Sequence, residues 1–500
     1  MALTAPCTPE ETMDQPSRLP QRLGLFDATT IVVGSMIGSA IFIAPSIMAG
    51  YVQTPGILLG LWVFGGLFTV LGAMCYAELA AMMPHAGGQY VFLGRAFGRF
   101  WAFLYGWTLF LVIQTGFNAA VAIAFAKYLG IFVPPLAESN VIVSLPLGDW
   151  LPVAGRHLPA YLADFRVSTA QIMACGVIAL LTWINIRGVR YGAAVQNLFT
   201  VLKVAALGAL IVFGLPRAVA NAANFFPLVE VRTGEAALKT GIVAGLAVAL
   251  SKALFAYDAW NSGTFVAEEV RQPERNMPRA LLLGTFLVML LYVLTNVAYL
   301  GAIPIGAMAN VAEDRVAEPV ALALFGQVGS TLVIVAILIS TFGCVNGLIL
   351  SGARVGYAMA REGLFFRSCG RLHPKTGTPA AALVYQAVWS CVLTLTGSYN
   401  DLLTYTTFAS VLFGALTVVG LYRLRVTQPD HPRPHRCWGY PFTPALYLAI
   451  ALPFLGYVIL GDPRATLIGL GLVMTGIPVY FCWRRHEGPP SAIMGPSGHW

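Results

Sequence analysis

Long apolar segments constrain this sequence most, because each is close to or above the roughly 20 residues that a helix needs to cross a bilayer. The runs are continuous rather than alternating, which favours helices over barrel strands. Only 10% of the residues are charged, against about a quarter in soluble proteins. The sequence therefore predicts an all-α integral membrane protein with 12 transmembrane helices. These spans lie at approximately 27–51, 56–83, 100–126, 167–186, 191–214, 240–266, 280–303, 325–353, 378–399, 402–422, 441–461 and 465–483.

The distribution of positive charge predicts the orientation of these spans. The loops and chain ends on one side of the predicted membrane hold 20 Lys and Arg residues. Those on the other side hold 8, and 2 lie within spans. Because cytoplasmic loops carry the excess of Lys and Arg, both termini are predicted to be cytoplasmic. The same bias accounts for the net charge of +8 without a nucleic-acid partner.

Cysteine and histidine give no sign of a metal or cofactor site. The eight cysteines show no CxxC spacing, and we interpret them as packing residues. The seven histidines lie outside the predicted spans. We therefore expect no cofactor and no bound metal.

Span 1 carries weak helix formers at mid-depth. Its segment VVGSMIGSAIFIAPS (32–46) contains Gly34, Ser35, Gly38 and Ser39 before Pro45. Glycine costs about 1 kcal/mol relative to alanine inside a helix. A Gly-x-x-x-Gly pair is often only a close helix contact. The alternative is an unwound turn, whose free N–H groups face an anion and whose carbonyls face a cation.

Span 6 favours the unwound alternative. Its segment SKALFAYDAWNSG (251–263) places Lys252 and Asp258 near the middle of the bilayer, where a charge costs roughly 2.5–3.5 kcal/mol. Spans 1 and 6 are five spans apart, as expected for two five-helix copies in opposite orientation. The sequence thus predicts a five-plus-five inverted repeat, about 27–214 and 240–422, with broken helices 1 and 6 and the site between the copies.

Two broken helices suit a small molecule with both charges, such as an α-amino acid. We expect its carboxylate at the N–H groups of Ser39, Ala40 and Ile41, and its ammonium at carbonyls near Ile37 and Phe255–Ala256. Phe255 either closes over the substrate or packs as an ordinary aromatic residue. The predicted substrate-binding residues are Ile37, Gly38, Ser39, Ala40, Ile41, Phe255, Ala256, Tyr257, Asp258 and Asn261.

Several motifs resemble one known family. GSMIGSAIF (34–42) is similar to the span 1 signature of the amino acid–polyamine–organocation (APC) superfamily. FAYDAWN (255–261) and EEVRQPERNMPRA (268–280) resemble the L-type amino acid transporter branch and its bacterial relatives. Similar matches are YAELAAMMPHAGGQY (76–90), FTVLKVAAL (199–207), STFGCVNG (340–347) and REGLF (361–365).

The resemblance implies a sodium-independent amino acid permease. It also implies a transporter core over 23–425, two additional helices over 441–483, and cytoplasmic tails at 1–22 and 484–500. The family usually has glycine where this chain has Ala40, and the extra methyl group would favour small substrates. No cysteine occurs in the loop 129–166, so we expect no disulfide-linked heavy chain. We also expect the chain to be a monomer that is surrounded by the lipids of a bacterial inner membrane.

By the same resemblance, Lys203 occupies the place of sodium in sodium-coupled relatives. There it would brace the span 1 break against span 8, near Ser340 or Cys344. It is either a fixed structural charge or a group whose protonation changes during transport, since burial lowers the pKa of a lysine.

The expected function is transport of small to medium neutral L-amino acids, by exchange or proton-coupled uptake. Asp258 would contact a cationic substrate side chain, Lys252 or the span 1 backbone. Antiport of polyamines or cationic amino acids is the alternative, but such a site should hold several carboxylates. A membrane enzyme would need clustered His, Asp, Glu or Ser at one face, which the scattered histidines do not provide. A non-transporting sensor remains a further alternative.

Overall fold

The computed structural model of the chain describes residues 19–145, 165–228, 241–311, 314–396, 399–461 and 463–484. Most of both predicted tails and the centre of the loop 129–166 lie outside these ranges. The first half of the described chain forms helices α1 (Leu25–Met36), α2 (Ala40–Tyr51), α3 (Pro55–Met82), α4 (Gln89–Phe97), α5 (Arg99–Thr108), α6 (Gln114–Phe132), α7 (Thr169–Ile186) and α8 (Val189–Ala220).

A π-helical turn, Leu109–Ile113, joins α5 to α6, and a hairpin of strands β1 (Val141–Leu145) and β2 (Phe165–Ser168) precedes α7. The second half forms α9 (Ile242–Tyr257), α10 (Ser262–Phe265), α11 (Pro273–Ala302), α12 (Ile305–Ala309), α13 (Ala317–Arg361), α14 (Ala380–Thr396), α15 (Tyr399–Thr427), α16 (Phe442–Gly461) and α17 (Pro463–Arg484). Short 3₁₀ turns occupy Pro134–Leu136, Ala222–Phe225, Ala267–Glu269 and Arg367–Gly370.

Within the described residues, nine helices are long and apolar enough to cross a membrane, counting α1 and α2 as one and α5 to α6 as one. The chain is therefore an all-α, multi-pass membrane protein. The predicted span 6 is not among the nine because its interruption leaves α9 with only 16 residues. The apolar parts of spans 9 and 12 are also shorter than 18 residues. The count of 12 and the inverted repeat stay predictions.

The segment before α1 closes one end of the helix bundle. The backbone N–H groups of Arg22 and Leu23 donate to the Glu269 carbonyl, each over 2.9 Å, and Leu23 forms a parallel bridge with Val270. The Glu269 carboxylate in turn accepts a bond from Arg354 over 2.7 Å, and both side chains are 1% exposed. The N-terminal segment, the α10–α11 connection and α13 are thereby joined at this end.

Glu78, near the end of α3, is fully buried and binds two arginines. Arg425 donates to both carboxylate oxygens over 2.9 and 2.6 Å. Arg433 lies 3.3 Å from the same carboxylate, and the Cys437 N–H donates to it over 2.7 Å. Arg425 belongs to the last turn of α15 and Arg433 to the segment that follows it, so Glu78 ties both to α3.

Gly88 lies where the α3–α4 connection touches α10. A Cβ atom there would lie 2.1 Å from Thr264 Oγ1 and 2.7 Å from its carbonyl carbon, whereas a Cβ atom at Gly98 would meet open space. Both glycines have positive φ angles, of 43° and 95°. We expect Gly88→Ala to lower the free energy of unfolding by about 1–3 kcal/mol more than Gly98→Ala, because it also displaces the Thr264 backbone. Thermal unfolding in detergent measures the difference, and equal losses would contradict the predicted clash.

Candidate functional site

The break in span 1 separates α1 from α2 at the Gly-Ser segment. α1 ends at Met36, and Ile37 leaves the helical region with φ −77° and ψ 89°. α2 then begins at Ala40. A Cβ atom at Gly38 would lie 2.9 Å from Cys344 Sγ. The segment is therefore both unwound and closely packed, so the two interpretations of its glycines are not exclusive.

Lys203, on α8, ties this break to α13. Its ammonium group is buried and donates to the carbonyls of Gly34, Ile37 and Ser340 over 2.9, 2.7 and 2.9 Å. All three ammonium protons therefore find an acceptor. Lys203 holds the end of α1 and the middle of α13 in one arrangement.

Three further side-chain donors bind carbonyls of the same break. Cys344 Sγ donates to the Ser35 carbonyl over 3.1 Å, and Tyr292 Oη donates to the Met36 carbonyl over 2.8 Å. Ser340 Oγ donates to the Ile37 carbonyl over 3.2 Å. The carbonyls at positions 34–37 are thus each engaged by a side chain, and Ile37 accepts two such bonds. This end of the break is satisfied within the protein.

The start of α2 presents the opposite polarity. Ala40 and Ile41 belong to its first turn, where N–H groups have no acceptor within the helix and the helix dipole is positive. The Phe42 N–H already closes back on the Ser39 carbonyl over 3.0 Å. All four residues are buried. The geometry suits an anionic group placed at the start of α2.

The break in span 6 is centred on Asp258. α9 ends at Tyr257, Asp258 is extended with φ −70° and ψ −179°, and Ala259 has a φ angle of 67°. The Asp258 carboxylate accepts a bond from the Ala259 N–H over 2.7 Å, and Asp258 shares a cavity wall with Ser410. α9 packs against α2, so the two breaks belong to neighbouring helices.

A small cavity lies behind the span 6 break. Its volume is about 30 Å³, which is room for about two water molecules rather than an amino acid. Its walls come from α3, α9, α15, α16 and the span 6 break, and its polar lining residues are Thr69, Tyr76, Tyr257, Asp258, Trp260, Asn261, Ser410 and Tyr447. The predicted residues Tyr257, Asp258 and Asn261 therefore meet here, whereas Lys203, Ser340 and Cys344 meet at the span 1 break.

The other predicted residues of span 6 lie in packed surroundings. The Phe255 ring stacks on Phe117, with centroids 4.8 Å apart, and Ala256 is buried. Tyr257 Oη donates to the Trp62 carbonyl over 3.0 Å. Asn261 Nδ2 donates to Gln89 Oε1 over 2.7 Å, and this bond ties span 6 to α4.

Tyr292 is the residue of the site that the sequence interpretation missed. It lies in α11 directly between Leu291 and Val293 and without an adjacent helix breaker, so no local pattern distinguishes it from the other membrane tyrosines. Its role follows only from the 2.8 Å bond to the Met36 carbonyl.

The sequence compares directly with known proteins. The family described as "Amino acid permease" matches residues 23–476. The chain belongs to the amino acid permease family. Its motifs, its apolar helices and this match agree, so the predicted resemblance to the APC superfamily is confirmed.

Three similar proteins illustrate the relationship. Large neutral amino acids transporter small subunit 2 of Homo sapiens is 32% identical over 463 residues, covering 93% of this chain and 80% of the relative. Asc-type amino acid transporter 1 of Mus musculus is 30% identical, covering 93% of this chain and 82% of the relative. b(0,+)-type amino acid transporter 1 of Mus musculus is also 30% identical, covering 93% and 88%. All three are named as transporters rather than enzymes.

We expect Lys203→Met to destabilise the protein by about 2–5 kcal/mol, since buried carbonyls that lose their donor cost roughly 1–3 kcal/mol each. The control is Lys127→Met. Lys127 forms a 3.5 Å ion pair with Glu138 near the exposed β-hairpin, and such exposed pairs contribute about 0–1 kcal/mol. Thermal unfolding of both variants in detergent provides the test. A Lys203→Met variant as stable as Lys127→Met would show that Lys203 does not hold the break together.

Proposed function

We propose that the chain carries small to medium neutral L-amino acids across the membrane by alternating access, without sodium. The observation that carries this proposal is the bonding of Lys203 to carbonyls of both span 1 and span 8. Its ammonium group supplies a positive charge where, by the family resemblance, sodium-coupled relatives bind their ion. A sodium ion would need the same carbonyl oxygens, which Lys203 already occupies.

The substrate carboxylate would bind at the start of α2. The first-turn N–H groups of Ala40 and Ile41 and the positive end of the helix dipole attract a carboxylate. The carbonyls of positions 34–37 are engaged by side chains. The break therefore offers a ligand the N–H groups at the start of α2 rather than these carbonyls. The Ala40 methyl group would then lie beside the bound carboxylate and would reduce the space for a bulky substrate.

The substrate ammonium would bind the last carbonyls of α9, around Phe255 and Ala256. The Ile37 carbonyl, the other predicted acceptor, already receives bonds from Lys203 and Ser340. The Phe255 carbonyl accepts one bond, from the Asp258 N–H over 3.1 Å, and keeps a second lone pair. The negative end of the α9 dipole favours a cation at the same place.

Transport requires the closed end of the bundle to open. There the Glu268 carboxylate accepts bonds from the N–H groups of Leu19 and Ala86, each over 3.1 Å, and lies 3.8 Å from Arg361. Together with the Leu23–Val270 bridge, these contacts hold the segment before α1 against the α10–α11 connection. We propose that they form in one state of the cycle and separate in the other, on the cytoplasmic side.

The alternative function is antiport of polyamines or cationic amino acids. The observation that favours it is the Asp258 carboxylate in the span 6 break, which lines the cavity between α3, α15 and α16. One carboxylate suits a single cationic side chain better than a polyamine. A sensor that binds an amino acid without transporting it is a more remote alternative.

We also propose a monomer in a bacterial inner membrane, since the loop 129–166 offers no cysteine to a heavy chain.

Uptake of radiolabelled serine, alanine and leucine into proteoliposomes tests the main proposal. We expect sodium-independent uptake that depends either on amino acid preloaded inside or on an inward proton gradient. Dependence on preloading alone identifies an exchanger with Lys203 as a fixed charge. Uptake into empty vesicles that needs the proton gradient and is lost in Lys203→Ala identifies a proton symporter. Binding of these amino acids without any flux would overturn the transporter proposal in favour of a sensor.

The variant Asp258→Asn tests whether the chain transports neutral or cationic substrates. The change removes the charge but keeps the size of the side chain and its ability to accept a hydrogen bond. We expect uptake of neutral amino acids to stay within about threefold of the native chain, an effect below one kcal/mol. Labelled lysine and putrescine serve as comparison substrates. Strong uptake of either by the native chain, lost in Asp258→Asn, would establish the alternative function.

A further inference from the structure

The connection between α15 and α16, residues 428–441, has a fixed fold. The Arg433 guanidinium donates to four carbonyls, including those of Leu424 over 3.1 Å and Gln428 over 2.7 Å. It thereby satisfies carbonyls at the end of α15 and folds the connection back on that helix. Thr443 Oγ1 closes the other end by donating to the Trp438 carbonyl over 2.6 Å.

This connection is anchored to α3 through Glu78. Arg425 and Arg433 both contact that buried carboxylate. The Tyr440 ring lies under the Arg425 guanidinium, with the centroid 3.7 Å from its central carbon. The outward side chains of the connection are therefore presented from a rigid base.

The same region carries an excess of positive charge. Four arginines at positions 423, 425, 433 and 436 are opposed by two carboxylates, Glu78 and Asp430. Arg423 and Arg436 are exposed, and Arg423 lies 5.5 Å from the Phe97 ring. Burial lowers the pKa of His435 and disfavours its charged form. The positive charge that the two carboxylates leave unneutralised therefore lies on the exposed guanidinium groups of Arg423 and Arg436.

Large apolar side chains flank these arginines. Val426, Trp438 and Phe442 are 77%, 80% and 79% exposed. Val426 lies in the last turn of α15, Trp438 lies in the connection, and Phe442 is the first residue of α16. Exposed tryptophan beside arginine at the ends of membrane helices is typical of the headgroup level of a bilayer.

We propose that the α15–α16 connection, together with the adjoining ends of α15 and α16, binds the headgroup of an anionic phospholipid. The exposed guanidinium groups of Arg423 and Arg436 would each be available to headgroup phosphate, since guanidinium matches phosphate geometry with paired hydrogen bonds. Trp438 and Phe442 would enter the boundary between headgroups and acyl chains. Free phosphate would leave these apolar side chains in water, and for this reason the occupant is a lipid. This inference is independent of the transported substrate.

The test uses the full-length protein in neutral detergent. Phosphatidylglycerol, phosphatidylcholine with the same acyl chains, and inorganic phosphate are titrated in parallel, with Tm and lipid retention in native mass spectrometry as readouts. We expect phosphatidylglycerol alone to raise Tm and to be retained. Arg423→Gln/Arg436→Gln should lose at least half of the Tm increase, and Trp438→Ala should lower retention.

The matched control is Arg367→Gln/Arg371→Gln. Both arginines are exposed, in the connection after α13. The segment 96–99 connects both pairs of arginines and places them at the same end of the bundle. Arg99 donates to the carbonyl of Glu362, close before Arg367, over 2.6 Å. A Cβ atom at Gly420, close before Arg423, would lie 2.9 Å from Ala96 Cβ. An equal loss in this control would mean unspecific attraction and would overturn the proposed site. An equal Tm increase with free phosphate, or no phosphatidylglycerol effect on the native chain, would overturn it as well.

Discussion

The buried ammonium of Lys203 is the interaction on which the rest of the site depends. A helix that unwinds inside a membrane exposes backbone carbonyls that water cannot reach, and each costs several kcal/mol if left unpaired. Lys203 supplies three donors at one point and joins α1 to α13 through them. Tyr292 on α11 and Cys344 on α13 complete the pairing. The unwound turn persists because neighbouring helices provide these donors.

This pairing makes the two sides of the span 1 break chemically different. Its carbonyl side is engaged by protein donors, while its amide side begins a new helix at Ala40. The break therefore favours an anion over a cation. The span 6 break has the complementary character, since α9 ends there in carbonyls and the Asp258 carboxylate. Two neighbouring breaks of opposite polarity suit a molecule that carries both charges, which agrees with the family to which the chain belongs.

Buried acidic groups organise the ends of the bundle in a similar way. Glu269 and Glu78 each join segments that are far apart in sequence, through Arg354 in the first case and Arg425 in the second. Breaking a buried pair of this kind leaves an uncompensated charge, so such contacts favour discrete arrangements over gradual deformation. The first pair lies where the bundle is closed, and the second supports the α15–α16 connection.

The sequence by itself determined the membrane class, the family, the two interrupted helices and the importance of Lys203. These features follow from local properties: apolar length, clustered helix breakers, and a charge too deep in the membrane to be accidental. Only the tertiary structure decided that Tyr292 binds the Met36 carbonyl and that Asp258 lines a cavity apart from Lys203. Such contacts join residues more than 100 positions apart in several cases. Their partners are selected by helix packing, which periodicity and composition do not encode.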